Sequence, residues 1–367
     1  MRGMTGRFHI IETWRGVLTF AGGAVFLQVL VGGLRPVDGS MLIHFAQGGF
    51  GARLPTNFAQ YLFDSPLKVA VVHALGLTSP LKLAAFFAAL TFLPFAAAFL
   101  ARDEEMRKTA IVVLAALPLT RVSMSSLGVG DAVLFAVVVA LAMSPSRLVA
   151  AAAAFVAVGW HVQQGTLIVI ALGLVLRFGG DPRERSKIPY LAAGLLGGLI
   201  VEGLLQALII PEHQGRIGNL ALYLDRYLLR SLFYWPVALV VAIPGLLSLW
   251  LSERLWKLPR VAPVLLVLAF AISTTTADVS RVFFNLSFPV IFLRHFSPRP
   301  QSFAPLRQTG VLVPVLAVSI VVPLLGWSGV GIFDWGGLAW RMGIEWGWSE
   351  PIRLFLDLYR AFDQTPP

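Results

Sequence analysis

Cysteine is absent from the 367 residues, which removes disulfide frameworks, thiolate metal sites and cysteine nucleophiles from consideration. Charge is scarce: Asp, Glu, Lys and Arg make up 13% of the chain, too little to cover a water-soluble protein of this size. Also missing are the strings that mark nucleotide or hydrolytic chemistry: no P-loop, no dinucleotide-binding glycine fingerprint before a strand, no HExxH and no Gly-x-Ser-x-Gly elbow. Any chemistry must therefore use carboxylate, imidazole, guanidinium or hydroxyl groups.

What the chain does have is apolar length. Hydrophobic residues make up 57% and the mean hydropathy is +0.78, in runs that approach or exceed the roughly 20 residues needed to cross a bilayer core. The expected fold is all-α: a polytopic integral membrane helical bundle with about 11 transmembrane helices, the defensible range being nine to twelve. The spans are expected near 17–34, 82–100, 109–121, 131–143, 148–160, 164–177, 189–210, 232–250, 261–273, 282–294 and 309–326. No segment between them is long enough for a separate soluble unit. The chain therefore reads as a single transmembrane domain over 1–367, with a first outer loop at 35–80 and a Trp-rich, amphipathic C-terminal outer segment at 327–367. Helices lying along the interface are expected in both. The first apolar run follows Arg2, Arg7 and Arg15 but lacks a small-residue cleavage site, as in an uncleaved signal anchor.

The net charge of +10 first suggests nucleic acid, but its distribution argues for topology instead. With the N-terminus inside, 17 of the 29 Lys and Arg fall on the cytoplasmic side and 11 on the other, with Lys82 at a helix edge. The cytoplasmic segments then carry the whole positive excess, as the positive-inside rule requires. The expectation is a bacterial inner (cytoplasmic) membrane protein, multi-pass, with a cytoplasmic N-terminus and a periplasmic C-terminus. Membrane lipid is an expected partner; nucleic acid is not.

Chemistry-bearing residues gather on the outer side. Asp38 follows the first span and could act as a general base, or simply cap a turn before Gly39. Asp64-Ser65-Pro66 reads as a helix start, with Asp64 in a capping role or a substrate contact. His161 and Gln164 occupy a very short junction between two apolar helices, and His161 could donate to a phosphate oxygen or shuttle a proton. Arg216 and Arg226 belong to a loop with His213 and Arg230 suited to clamping a phosphate. Asp278 and Arg281 stand three apart at a helix mouth and could pair with each other. Arg121 and Asp131 flank a serine-rich turn. Glu202 stands alone in an apolar stretch, where an acid should face the bundle interior or be protonated, as in a proton-coupled transporter. The C-terminal tryptophans Trp327, Trp335, Trp340, Trp346 and Trp348 suit an aromatic belt or sugar stacking.

This layout resembles the GT-C superfamily of integral membrane glycosyltransferases: many transmembrane helices, an acid soon after the first, and polar residues at outer helix mouths. Asp38 matches the family's acidic position by placement, while the strings Trp160-His161-x-x-Gln164 and Asp278-x-x-Arg281 look like segments of bacterial polysaccharide-assembly membrane proteins. The resemblance implies a polyprenyl-phosphate-linked sugar donor, a glycan or lipid acceptor, and transfer at the periplasmic face. Asp38 would then be the catalytic base, with His161, Gln164, Arg216, Arg226, Asp278, Arg281 and Asp64 binding substrate. The chain is short for that superfamily, lacks the paired acids of some members near Asp38, and carries no soluble C-terminal domain. No cofactor is expected, and nothing in the sequence calls for a divalent metal. The competing readings are a polymerase or ligase of lipid-linked polysaccharide, a transporter or flippase, and a non-catalytic assembly subunit.

Overall fold

The computed structural model describes residues 11–32, 39–49, 64–125, 130–209, 239–274, 279–296, 303–321, 324–325 and 332–333. The described chain is overwhelmingly helical; its one ladder is an antiparallel pairing of Leu324–Leu325 with Ile332–Phe333.

The helices begin and end where elementary chain chemistry says they should. After α1 (Trp14–Gly32) come two short helices, α2 (Gly39–Gly48) and α3 (Pro66–Ala74), inside the expected first outer loop. Ser79 caps α4 (Pro80–Leu90) by accepting from Lys82 N. The helix stops before α5 (Leu93–Ala98), where Pro94 cannot donate to the ladder and Thr91 Oγ1 bonds Phe87 O at 3.2 Å. Asp103 caps α6 (Glu104–Ala116), accepting from Glu105 N and Met106 N, with Glu104 and Glu105 in its first turn. Pro118 separates α6 from α7 (Leu119–Ser125). Then follow α8 (Asp131–Met143), α9 (Arg147–Trp160, capped by Ser146), α10 (Val162–Gly179), the single turn α11 (Pro182–Arg185, capped by Asp181) and α12 (Ile188–Ile209). The remaining helices are α13 (Ile243–Leu251), α14 (Val261–Ser273), α15 (Val279–Phe296) and α16 (Thr309–Val321).

Among the described residues, four helical stretches are long and apolar enough to cross a membrane: Trp14–Val31, Pro80–Ala98, Val162–Gly179 and Pro182–Leu205. Helices α8, α9, α14 and α16 are apolar but shorter. The burial pattern is that of a membrane protein. Helices α6, α8 and α15 are buried nearly all round, while α1, α4, α12 and α14 point Leu, Ile, Val and Phe side chains outward. Such an apolar exterior around an apolar core is stable in lipid, not in water.

Two contacts hold neighbouring helices unusually close. On α12, a Cβ at Gly194 would lie 2.1 Å from Ala151 O of α9, and one at Gly198 would lie 2.7 Å from Val158 Cβ. This Gly-x-x-x-Gly face against an alanine-rich helix is the small-residue packing that replaces the hydrophobic effect inside a bilayer. At the α9–α10 junction a Cβ on Gly165 would lie 2.0 Å from Ala157 O, so only glycine lets the two helices meet across the single residue His161.

The bundle has two chemically distinct ends. At one, Lys187 Nζ donates to Leu141 O at 2.8 Å, Lys108 pairs with Glu104 at 2.7 Å, Arg307 pairs with Glu105, and Arg147 Nε donates to Ser186 Oγ at 3.3 Å. This end holds the starts of α6, α9, α12 and α16 and the ends of α8, α10 and α15. The opposite end collects the starts of α8, α10 and α15 with α2 and α3. There, a second apolar cluster around Leu42, Phe45, Val69, Val72, Phe87 and Trp160 fastens the short helices to the bundle.

Candidate functional site

At that second end a chain of hydrogen bonds crosses the bundle. Asp131 opens α8 behind Gly130, whose φ of +77° is left-handed and whose Cβ position lies 2.5 Å from Trp160 Nε1. Glycine is therefore needed twice here, for the backbone and for the indole that covers the turn. Asp131 is 2% exposed, and Arg281 Nη1 donates to both of its oxygens at 3.1 Å. One turn further along α15, the fully buried Asn285 donates through Nδ2 to Asp131 Oδ1 at 2.8 Å and to Gln164 Oε1 at 2.9 Å.

These bonds fix the orientation of the rest. With its oxygen accepting from Asn285, Gln164 presents Nε2 to His161 Nε2 at 3.3 Å. The nitrogen is a donor, so the neutral His161 ring accepts at Nε2 and carries its proton at Nδ1. Arg281, Asp131, Asn285, Gln164 and His161 thus form one continuous polar chain drawn from α15, α8, α10 and the α9–α10 junction. Beside it, Gln163 Nε2 donates to Asp64 Oδ1 at 3.4 Å, linking the network's helix to the start of α3. Among the described residues, Asn285 Oδ1 and Trp160 Nε1 are buried with no hydrogen-bond partner.

Of the expected site residues, His161, Gln164 and Arg281 come together in this network and Asp64 borders it. Asp38, Arg216, Arg226 and Asp278 lie outside the described residues, as do the 212–230 loop and the C-terminal tryptophans. Two sequence readings change, those of Asp64 and Arg121. The N-cap of α3 is Ser65, not Asp64, because Pro66 starts the helix one residue later than a capping Asp64 would require; Asp64 bonds across to α10 instead. Independently of its spacing to Asp278, which lies outside the described residues, Arg281 pairs with Asp131, 150 positions away in sequence. Arg121 is not grouped with Asp131 but caps the end of α16, donating through Nη1 to Ile320 O at 2.8 Å and Ser319 O at 3.2 Å.

Arg121 belongs to a second buried arrangement on the same half of the bundle. Gln28 of α1 donates to Ala115 O at 2.7 Å and Leu117 O at 2.9 Å, carbonyls released by the Pro118 break, and accepts from Arg121 N at 3.1 Å. All its partners are backbone groups, so it acts as a brace. Glu202 is partly buried on α12. Among the described residues no three His, Asp or Glu side chains gather as a metal-binding group.

No family model matches the chain. Nor does any curated protein or solved structure match it. The functional reading therefore rests on the network itself. Its central members, Asp131 and Asn285, are not among the residues the sequence singles out as substrate-binding. The available signal was Asn285 itself, the lone carboxamide in the apolar run Val282–Leu293; amides at such depth act as interhelical glue or line a site.

Proposed function

We propose that the chain is a membrane glycosyltransferase of GT-C type, moving a sugar from a polyprenyl-phosphate-linked donor to a glycan or lipid acceptor at the end of the bundle that carries the polar network. The observation that carries this reading is the continuous Arg281–Asp131–Asn285–Gln164–His161 chain, in which side chain bonds side chain across three helices at one end of a largely apolar bundle. A polar chain of this kind is costly in lipid and marks functional ground. The proposal includes about eleven transmembrane spans, α2 and α3 along the outer surface, and the arginine-rich end in the cytoplasm of a bacterial cell. Supporting it, the chain's positive excess falls on that side under the positive-inside rule.

In the reaction, the acceptor oxygen bonds the sugar's anomeric carbon as the bond from that carbon to the donor phosphate breaks. Asp38, which immediately precedes α2 in the chain, takes the acceptor hydroxyl proton. The polyprenyl phosphate leaves as an anion, met by Arg281, whose guanidinium Asp131 holds in place, and by the Nδ1 proton of His161. Asn285 and Gln164 fix that histidine's tautomer and so act as positioning residues. The unmet Asn285 Oδ1 and Trp160 Nε1 offer an acceptor and a donor beside the same groups.

The test is turnover of the purified chain in lipid nanodiscs with polyprenyl-linked sugar donors, read as release of polyprenyl phosphate. Asp38→Asn is expected to slow transfer by about 100-fold or more, the contribution of a general base. Unchanged turnover removes Asp38 from the role. The coupling of Arg281 to His161 also suits a polymerase or ligase of lipid-linked polysaccharide. For that enzyme, substitution of Arg216, Arg226 or Arg281 would cost more than substitution of Asp38.

A further inference from the structure

The polar network lies closer to the basic end of the bundle than a bilayer is thick. Asp131 opens α8, whose 13 residues reach the basic end at Met143, and His161 closes α9, whose 14 residues start there at Arg147. At 1.5 Å per residue each helix covers only about 20 Å, against roughly 30 Å of hydrocarbon. Tilting shortens that reach further. In a flat bilayer met at the basic end, Asp131 and Arg281 would sit about 10 Å inside the hydrocarbon, where charged groups are costly.

Helix α14 shows how the conflict is resolved, because it joins the same two levels and faces outward. Just before it, Pro259 packs on the end of α10, where a Cβ at Gly179 would lie 3.0 Å from Pro259 Cγ. Near its other end Phe270 meets Phe283 of α15 edge-on at 5.8 Å, two residues beyond Arg281. Between these contacts α14 has 13 residues, Val261–Ser273, with Arg260 before it and Thr274 after it. Val264, Val267 and Leu268 are at least half exposed, and Ala271 is exposed as well. This outward face offers lipid about 20 Å of apolar length. The 19 residues of α1, the 19 of Pro80–Ala98 and the 22 of α12 offer roughly 28–33 Å. A bilayer meets a short span by thinning beside it, at a modest cost per ångström.

We propose that α14 is a bilayer-thinning surface. Lipid against it compresses to about 20 Å of hydrocarbon, which lowers the headgroups and the water above them to the level of the Arg281–Asp131 pair, while α1, α4–α5 and α12 hold the bilayer at full thickness elsewhere. The partner is fluid membrane lipid, and the inference does not depend on the transferase reading. Its consequence for any chemistry at the network is access: the groups that α15 and α8 bring together meet the polar surface beside α14 instead of lying under hydrocarbon.

The experiment uses the full chain in dioleoylphosphatidylcholine vesicles and reads the depth of single nitroxide labels by power-saturation electron paramagnetic resonance, with oxygen and a water-soluble nickel chelate as the two relaxing agents. The chain has no cysteine, so each label site is unique. Val264→Cys and Ala271→Cys are seven residues, about 10 Å, apart along α14, and Ala193→Cys and Ile200→Cys are spaced alike on α12. All four side chains face outward, so the labels replace lipid contacts and not core packing. For each pair, the first label's depth below the surface at the basic end is added to the second label's depth below the opposite surface. That sum does not change when a helix rides up or down, and in a flat bilayer it is about 20 Å. The α14 pair should sum to about 10 Å and the α12 pair to about 20 Å. Equal sums on the two helices, or a sum near 20 Å on α14, overturn the proposal.

Discussion

Replacing Asp131 by alanine tests the centre of the network most directly. The change removes both oxygens on which Arg281 Nη1 is bonded at 3.1 Å and one of the two acceptors of Asn285 Nδ2. The two losses differ in size. Interhelical hydrogen bonds between neutral groups in membrane proteins average about 0.6 kcal/mol, so the Asn285 contact is the minor part. Breaking one side of a buried ion pair costs roughly 3–5 kcal/mol, because the guanidinium loses the carboxylate that holds its Nη1. The single substitution is therefore expected to destabilise by about 3–5 kcal/mol, whereas Asn285→Ala costs about 1 kcal/mol. Arg281→Ala strands the carboxylate in the same way, so the double variant Asp131→Ala/Arg281→Ala should be markedly more stable than the two single effects added together. The assay is reversible unfolding in mixed micelles of dodecyl sulfate and maltoside, followed by tryptophan fluorescence and run as a double-mutant cycle. Additivity within about 0.5 kcal/mol would refute the pair as an energetic unit and with it the argument that Asp131 holds Arg281 in place.

Further outcomes can be checked alongside. Gly165→Ala should prevent a monodisperse folded product in size-exclusion chromatography, since its Cβ would lie 2.0 Å from a backbone oxygen, whereas Gly203→Ala, with nothing within 4 Å, should be tolerated. Gln28→Leu should cost about 1–3 kcal/mol in the same unfolding assay by stranding the carbonyls at the α6–α7 break. Because the chain has no cysteine, single cysteines at Arg183 and His213 can be labelled with a membrane-impermeant maleimide. They should react from opposite sides of the bilayer, and labelling from the same side would remove the proposed topology.

Helix positions were legible to the degree that the chain punctuates its apolar runs. Each expected span contains a helix, and 131–143 and 261–273 coincide with α8 and α14 because Gly130, Ser144, Arg260 and Thr274 mark their ends plainly. One run was misjudged by treating charge and proline as neutral flanks. The 109–121 run begins at Glu104, since Asp103 caps it ahead of the charges, and it breaks at Pro118. The 82–100 run agrees with the apolar stretch Pro80–Ala98, whose helix is interrupted before Pro94. The site was only half legible. His161 and Gln164 share one short junction, so their proximity follows from the chain, but Arg281 finds Asp131 and Asn285 finds Gln164 across 150 and 121 positions. Local spacing offers Asp278, outside the described residues, as a partner of Arg281, whereas only helix packing reveals Asp131.

The brace at Gln28 bears on the order in which the molecule is made. Helix α1 carries a carboxamide whose three partners, Ala115 O, Leu117 O and Arg121 N, are synthesised some ninety residues later. Until they arrive, that amide must wait in lipid or at the translocation channel, and the newborn helix gains by staying mobile. Once α6 and α7 dock, the same group locks α1 to these later helices, so a product that stalls in between carries an unmet polar group by which cellular quality control can recognise it.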